Sequence, residues 1–464
     1  MDPRRFFNAC NPARALNVRK PEDRQYYIDF SSVRGNNIIQ DLKRTIAYTD
    51  HHTCQLFSGH LGCGKSTELL RLQADLEQLG FYVVYFEASQ ALDTVDVDVT
   101  DILMAIAQQV SASLEQSQIH LHPQGFKKLL KDTIDFLNLP VEVEGIEISG
   151  VGINASEGGL EFSLPMGIGK LMAKAKDSRN LRTLLRNYLE PRTNTILQAI
   201  NQELLEPACQ ILQQRGMQGL VVIIDNLDRV DPRPIQTGRR LQTEYLFVDR
   251  GEQLSKLDCH LVYTVPLMLL FSNDVTTLTN RLGGGLPPKV LPMVSVRSRQ
   301  GGDDPAGMRL LRRMVLVRAF PELADMPDLP PAVLQEKILQ IFEQTETLDR
   351  LCRISGGHVR ILLALLHSCL RREDPPLSER CLDQVIQEFR DRLLMTIDDQ
   401  EWEMIFQVVQ QQTLRGDQES QVLLPNLYVF EYWDQQGCWF SINPILEETP
   451  KLQAWRKQTN VAEP

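Results

Sequence analysis

The sequence predicts an α/β fold: a parallel sheet with helices on both faces, then a helical segment and a small unit of helices and a hairpin. Three observations carry this expectation. Five apolar runs rich in β-branched residues are each closed by a turn signal, at Cys54–Ser58, Phe81–Glu87, Leu220–Asp225, His260–Val265 and Val290–Val296. Helical spacing separates them, and strands alternating with helices imply parallel crossovers. The runs are nearly continuous in apolar residues, as strands covered on both faces must be.

Taken in order, residues 1–32 begin MDPRRFFNACNPARALN, with no apolar stretch behind the basic residues and no small-residue cleavage site. They read as a short basic arm, not a secretory leader. The strand-and-helix core spans 33–325, with an insertion at about 120–195 between the second and third runs. Within it, Val141–Gly169 alternates Val, Glu and Ile and then becomes glycine-rich, which predicts an irregular hairpin or mobile loop. A sensor or docking element would fit this segment, but a surface insertion is the simpler reading, because loops accept added length cheaply. Arg179–Gln214 has helical spacing of Leu and Ile and feeds the third run. Residues 326–372 continue in helical spacing and predict a lid, and Arg371–Pro376 (RREDPP) is the expected linker. Over 376–464 come helical segments at Cys381–Ile397 and Glu401–Gln412, then runs at Leu427–Trp433 and Cys438–Ile442 joined by DQQG. Two strands around a glycine turn make a hairpin. Helices followed by a hairpin suggest a winged helix, although no convincing recognition helix is visible.

Composition narrows the function. A chain of 464 residues has room for several modules, at ~150 residues each. Its 23% charged and 43% hydrophobic residues are ordinary for a soluble protein, and no run approaches the ~18 apolar residues of a membrane helix. The net charge of -11 repels nucleic-acid backbones unless positive charge is concentrated locally. From Pro376 onward seven Lys and Arg face fifteen Asp and Glu, so this module is acidic and better suited to protein partners than to duplex DNA. Nine cysteines without a CxxC pair write neither a disulfide framework nor a zinc ribbon, and point to a reducing cytoplasm.

One motif carries strong chemistry. Gly59-His60-Leu61-Gly62-Cys63-Gly64-Lys65-Ser66-Thr67 fits GxxxxGK[ST] between the first strand and a helix expected from Thr67. In such a P-loop, glycines let backbone N–H groups wrap a phosphate at the helix N-terminus, the lysine neutralises the β and γ oxygens, and the serine hydroxyl ligates Mg²⁺. Leu220–Asp225 supplies the apolar strand ending in the acid that holds Mg²⁺ through water. Its neighbour Asn226 cannot accept a proton from the attacking water as a carboxylate can. Asp228 is the nearest alternative, and an ion pair with Arg229 explains it equally well. Cys63 sits in the phosphate nest, where a lowered thiol pKa would make oxidation a block to ATP, although a merely small residue suffices. His120 and His122 lack a third ligand and read as a solvated turn. Arg309, Arg312 and Arg313 share a helix face and read as a solvated one.

GHLGCGKSTELLRL, VVIIDNLDRV, HLVYTVP and SGGHVRILLALL together resemble the Walker A, Walker B, sensor 1 and sensor 2 elements of bacterial P-loop ATPases of the AAA+/STAND group. That group includes origin-recognition-like ATPases and the switch ATPases of signalling and defence. The resemblance spans about Val33 to Cys369 and implies a core sheet of order 5-1-4-3-2, a helical lid, ATP and Mg²⁺ between core and lid, and oligomers that complete the active site. It implies that Thr264 holds the γ-phosphate or the attacking water, a buried and satisfied threonine being the alternative. It places Arg360 on the γ-phosphate, with Val359 where relatives often have Pro. It places Arg281 where relatives project an arginine finger into a neighbouring subunit; an ordinary arginine at a helix C-terminus explains it too. Arg34-Gly35 resembles the segment over the adenine.

Three functions compete. One is a nucleotide-dependent, oligomerising switch that hydrolyses ATP slowly. Another is a DNA-handling initiator or transposition-type regulator. A third, a small-molecule kinase, fits poorly with the lid, the sensor arginine and the extra module. The acidic C-terminal module favours the switch.

Overall fold

Runs of Val, Ile and Leu can be buried on both faces, and all five predicted runs contribute to one parallel sheet. The computed structural model describes residues 1–35, 37–121, 123–137, 141–143, 146–148, 164–235, 240–326, 329–414 and 422–459. The strands are β1 (Cys54–Gly59), β2 (Tyr82–Glu87), β3 (Leu220–Asp225), β4 (His260–Thr264) and β5 (Lys289–Leu291). Their spatial order is 2-3-4-1-5, the predicted 5-1-4-3-2 viewed from the other edge. Register pairs Val84 with Val222, Val222 with Leu261, Leu56 with Tyr263 and Ser58 with Val290. Alternate residues of β3 feed two cores: Val221 and Ile223 join one, Leu220, Val222 and Ile224 the other.

The N-terminal residues do not form a free arm. Helix α1 (Pro3–Ala9) is capped by Asp2 and buries Phe6, and the buried Arg318 donates to the Ala9 carbonyl at 3.1 Å. Arg14 pairs with Asp23. Arg19 pairs with Glu77 and Arg5 donates to Tyr26 and Gln25, so part of the positive charge that suggested an arm is used in local contacts. Helix α2 (Lys65–Gln78) sets Leu69, Leu72 and Leu76 against one face of the sheet, and α3 (Val99–Gln116) covers the other. Within Val141–Gly169, Val141–Val143 pairs antiparallel with Ile146–Ile148 and a helix starts at Leu164; 149–163 lie outside the described residues. Helix α4 (Val275–Arg281) precedes β5.

The fifth run departs from expectation. Only Lys289–Leu291 joins the sheet. Beyond it the Met293 N–H donates to Glu431, Val294 to Gly357 and Ser295 to Val33, at 3.0, 3.4 and 3.2 Å. A β-branched run satisfies its backbone equally well on three separate elements, so composition alone could not give its length. Helix α5 (Pro305–Ala319) leads to α6 (Pro331–Leu339), α7 (Thr345–Ile354) and α8 (Val359–Leu370), the expected helical lid. Arg312 pairs with Asp349 of the helix Thr345–Ile354 and Arg313 donates to the Ala324 carbonyl in the turn after α5, so these two do not form a solvated face.

The C-terminal elements are α9 (Glu379–Leu394), α10 (Asp399–Gln411) and an antiparallel hairpin of β6 (Val429–Asp434) and β7 (Gly437–Ile442). A recognition helix would stand between α10 and β6, a stretch that includes 415–421, outside the described residues. Arg297 to Glu447 (2.5 Å), Arg350 to Glu448 (3.0 Å) and Arg353 to Asp303 (2.8 Å) tie core, lid and C-terminal elements together. Among the described residues no helix is long and apolar enough to cross a membrane.

Candidate functional site

Strand β1 ends in the middle of the sheet, between β4 and β5, and its next residues turn directly into α2. Gly64 is the N-cap of α2 at φ 111°, and α2 begins at Lys65, two residues earlier than expected. A Cβ on Gly64 would meet nothing within 4 Å, so the helix N-terminus opens onto space where its N–H groups can receive an anion. Gly62 is different. At φ 93°, a Cβ there would stand 2.8 Å from His358 Cε1 and 2.9 Å from Arg360 Cβ, so the lid helix α8 packs directly on the loop.

Lys65 is 7% exposed, and its Nζ donates to the carbonyls of Gly59 (2.7 Å) and His60 (3.0 Å) and pairs with Asp228 Oδ2 at 3.0 Å. Burial alone would lower the Lys65 pKa, but the Asp228 carboxylate reverses this and the net shift is upward. Of the two readings of Asp228, the ion pair with Arg229 is not formed among the described residues; Asp228 pairs with Lys65. Among the described residues Asp228 Oδ1 is buried without a hydrogen-bond partner.

Asp225 is fully buried at the end of β3. Its Oδ1 accepts from the Asn226 N–H at 2.7 Å and its Oδ2 from the Tyr85 hydroxyl at 2.8 Å. Burial raises its pKa, opposed by hydrogen bonds from Ser66 and Tyr85. Ser66, near enough to oppose that shift, and Asp225 are the two groups expected to face a magnesium ion. Thr67 is the next residue in α2, and its Oγ1 accepts from the Leu16 N–H at 3.3 Å. Asn226 adopts φ 59°, the left-handed region that Asn tolerates better than most residues, so its identity has a backbone cause.

Thr264 is fully buried. Its hydroxyl accepts from Leu227 N at 2.9 Å and donates to the Ile224 carbonyl at 3.2 Å, so where a contact to phosphate was expected it anchors the turn carrying Asp228. Arg360 lies on the loop, its N–H donating to the Gly62 carbonyl at 3.3 Å. Burial, then the charge of Arg229, lowers its pKa. Arg281 is exposed at the end of α4 and is not brought to this chain's own loop. Buried Arg34 donates to the Cys63 carbonyl at 2.7 Å. Cys63 is itself fully buried beside Gly59, where it packs as a small apolar residue. His120 is exposed and His122 lies outside the described residues. Among the described residues no cluster of His, Cys, Asp or Glu forms a metal cage.

Several contributors had no signal in the sequence. His358 Nδ1 accepts from Ile361 N at 3.2 Å, which leaves Nε2–H to donate to the Leu61 carbonyl at 2.9 Å. His60 Nε2 accepts from the Glu431 N–H at 3.1 Å, and the Phe430 ring stands edge-on to His60 at 5.9 Å. Burial drives both histidines down to about 3, so both are neutral. The Tyr432 hydroxyl donates to the Gly356 carbonyl at 2.7 Å. The C-terminal hairpin is therefore a wall of the site. Its partners are backbone groups and rings, which no short motif records.

No protein-family model matches the chain, and no curated protein matches it. Solved structures do. Cdc6p from Pyrobaculum aerophilum is 12% identical with a TM-score of 0.35, covering 95% of this chain and 99% of that one. The Aeropyrum pernix ORC2 protein, solved as ADPNP–ADP complexes, is 13% identical at a TM-score of 0.35, with 99% of this chain and 97% of that chain covered. Its ADP form gives the same identity and score, covering 99% of each chain. The fold assignment rests on this chain's own features: an α/β P-loop architecture defined by the sheet order and the strand–loop–helix at Gly59–Thr67.

Proposed function

We propose that the chain is an ATP-binding, slowly hydrolysing P-loop ATPase of the AAA+/STAND type, acting as a nucleotide-dependent, oligomerising switch in the cytoplasm. The observation that carries this reading is the position of Lys65: a buried ammonium at a helix N-terminus, held by two loop carbonyls and Asp228. In this conformation its donors are engaged within the protein. A polyphosphate entering the open side of Gly64 takes over those donors, and Asp228 is released.

Glycines 59, 62 and 64, Cys63 and Thr67 frame the loop. Ser66 and Asp225 are the residues that would hold magnesium, and the ion would neutralise charge on the terminal phosphates. Arg360 reaches the same charge from the lid. Asn226 can position water but not deprotonate it, so turnover is slow unless the released Asp228 substitutes as base. Arg281, exposed on the outer surface, serves a neighbouring subunit. The acidic C-terminal module takes a protein partner.

Size-exclusion chromatography with light scattering, run with ADP, ATP and a non-hydrolysable analogue, with and without duplex DNA, tests this reading. Assembly with ATP or the analogue alone, indifferent to DNA, is expected. Assembly that requires DNA would move the chain to the DNA-handling class, and no response to any nucleotide would remove the switch.

A further inference from the structure

We propose that Arg229 is a phosphate-binding residue that distinguishes a nucleoside triphosphate from a diphosphate. The inference rests on the reading of Gly59–Thr67 as a phosphate loop. Arg229 closes the short turn Leu227–Arg229, which Thr264 fixes through the Leu227 N–H and which begins at the left-handed Asn226. The residue before it, Asp228, touches Lys65 Nζ. The turn therefore stands at the end of the loop where Lys65 meets the terminal phosphates.

The opposite wall is Arg360, whose backbone N–H donates to the Gly62 carbonyl at 3.3 Å and whose Nε would stand 2.9 Å from a Cβ on Gly62; the charges of Arg229 and Asp228 both act on its guanidinium. Neither Arg229 nor Arg360 has a carboxylate within ion-pair distance among the described residues, unlike Arg297, Arg350 and Arg353 elsewhere in the molecule. Lys65, Arg229 and Arg360 thus converge on a place where Asp228 balances only part of the positive charge. Two guanidinium groups that repel each other are stabilised by an anion between them, and their planar forks match phosphate oxygens. An ion pair with Arg229 was one of two readings of Asp228 in the sequence. Because Lys65 takes Asp228 instead, Arg229 is left with its charge available. A γ-phosphate supplies the missing negative charge, and a diphosphate lacks it.

Calorimetry on the full chain with Mg²⁺ tests this. Arg229→Ala should weaken ATP by roughly tenfold or more, the scale of one charge-assisted hydrogen bond, while ADP changes less than about threefold. Arg229→Lys should fall between the two, because an ammonium keeps the charge and loses the fork. The Arg229 side chain is exposed, so truncation leaves packing intact. Equal losses for ATP and ADP, or no loss for either, would overturn the assignment while leaving the phosphate loop standing. If the unmodified chain binds neither nucleotide, the phosphate-loop reading itself fails and this inference with it.

Discussion

The phosphate loop and the hairpin that packs on it are held by opposite means. The loop carries charge: Lys65 is bound through its ammonium to Gly59, His60 and Asp228. The hairpin meets the loop without charge, through the Glu431 N–H on a neutral His60 and the Phe430 ring, while the Tyr432 hydroxyl holds Gly356 at the start of the lid helix. One wall can answer an incoming phosphate because its ammonium can exchange partners. The other has only packing and backbone bonds to offer, and it fixes where the loop stands. Specific chemistry and positional rigidity are thus assigned to different segments of the chain.

Breaking the charged wall should have the largest effect. Lys65→Ala removes the ammonium facing the phosphates and leaves Asp228 buried alone, so ATP binding should vanish in calorimetry and stability should drop by roughly 3–5 kcal/mol. Retained MgATP affinity would mean that phosphate is not bound here. The neutral wall is tested by Phe430→Ala, a truncation of a fully buried ring. Chemical denaturation should show a loss of about 3–5 kcal/mol. If the wall only positions the loop, ATP affinity measured where the variant is folded should fall far less than in Lys65→Ala.

The carboxyl of Glu431 sharpens the contrast. It is buried, accepts from Trp433 Nε1 at 2.6 Å and faces the Cys438 thiol. Burial pushes its pKa from 4.5 up to about 7, against those two hydrogen bonds. In the folded chain the carboxyl holds its proton where the unfolded chain has lost it, so its contribution to stability falls as pH rises from about 4.5 to about 7 and is level above. Glu431→Gln should remove a slope worth on the order of 1–3 kcal/mol across that window, read from denaturation midpoints. An unchanged slope would assign the pH dependence to other groups.

The smallest effect is expected at Asn226. Its left-handed backbone suits Asn and Asp better than a longer side chain, so Asn226→Asp is the variant that adds a carboxylate without strain. Phosphate release should rise by roughly tenfold or more, at the lower end for a placed base. No acceleration, with ATP affinity intact, would leave Asp228 as the base, and Asp228→Asn would then lower turnover.

The charged wall was largely legible in the sequence, because one contiguous motif writes it and Leu220–Asp225 forms β3 with the predicted ends. Asp225 beside Ser66 followed from the motif pair. The partner of Asp228 did not follow, since sequence adjacency pointed to Arg229 and only the fold brings Lys65 to it. Val290–Val296 read as one strand because its composition is the same whether its N–H groups meet a strand or three separate elements. Arg4, Arg5 and Arg14 read as an arm because charge is visible in a sequence, while the burial of Phe6 and Cys10 depends on distant helices. The hairpin's place in the site left no motif, because a backbone N–H donated to His60 is independent of the residue that carries it.

The bond between Glu431 and His60 joins residues separated by 371 positions. During translation, at about 5–20 residues per second, the loop emerges roughly 20–75 s before the hairpin that will cover it. The Lys65 ammonium, by contrast, finds two of its partners only six and five residues away, at the Gly59 and His60 carbonyls. His60 has no such local partner, and its ring waits for a hairpin 371 residues further on. A chain shortened before the hairpin therefore lacks one wall of the loop.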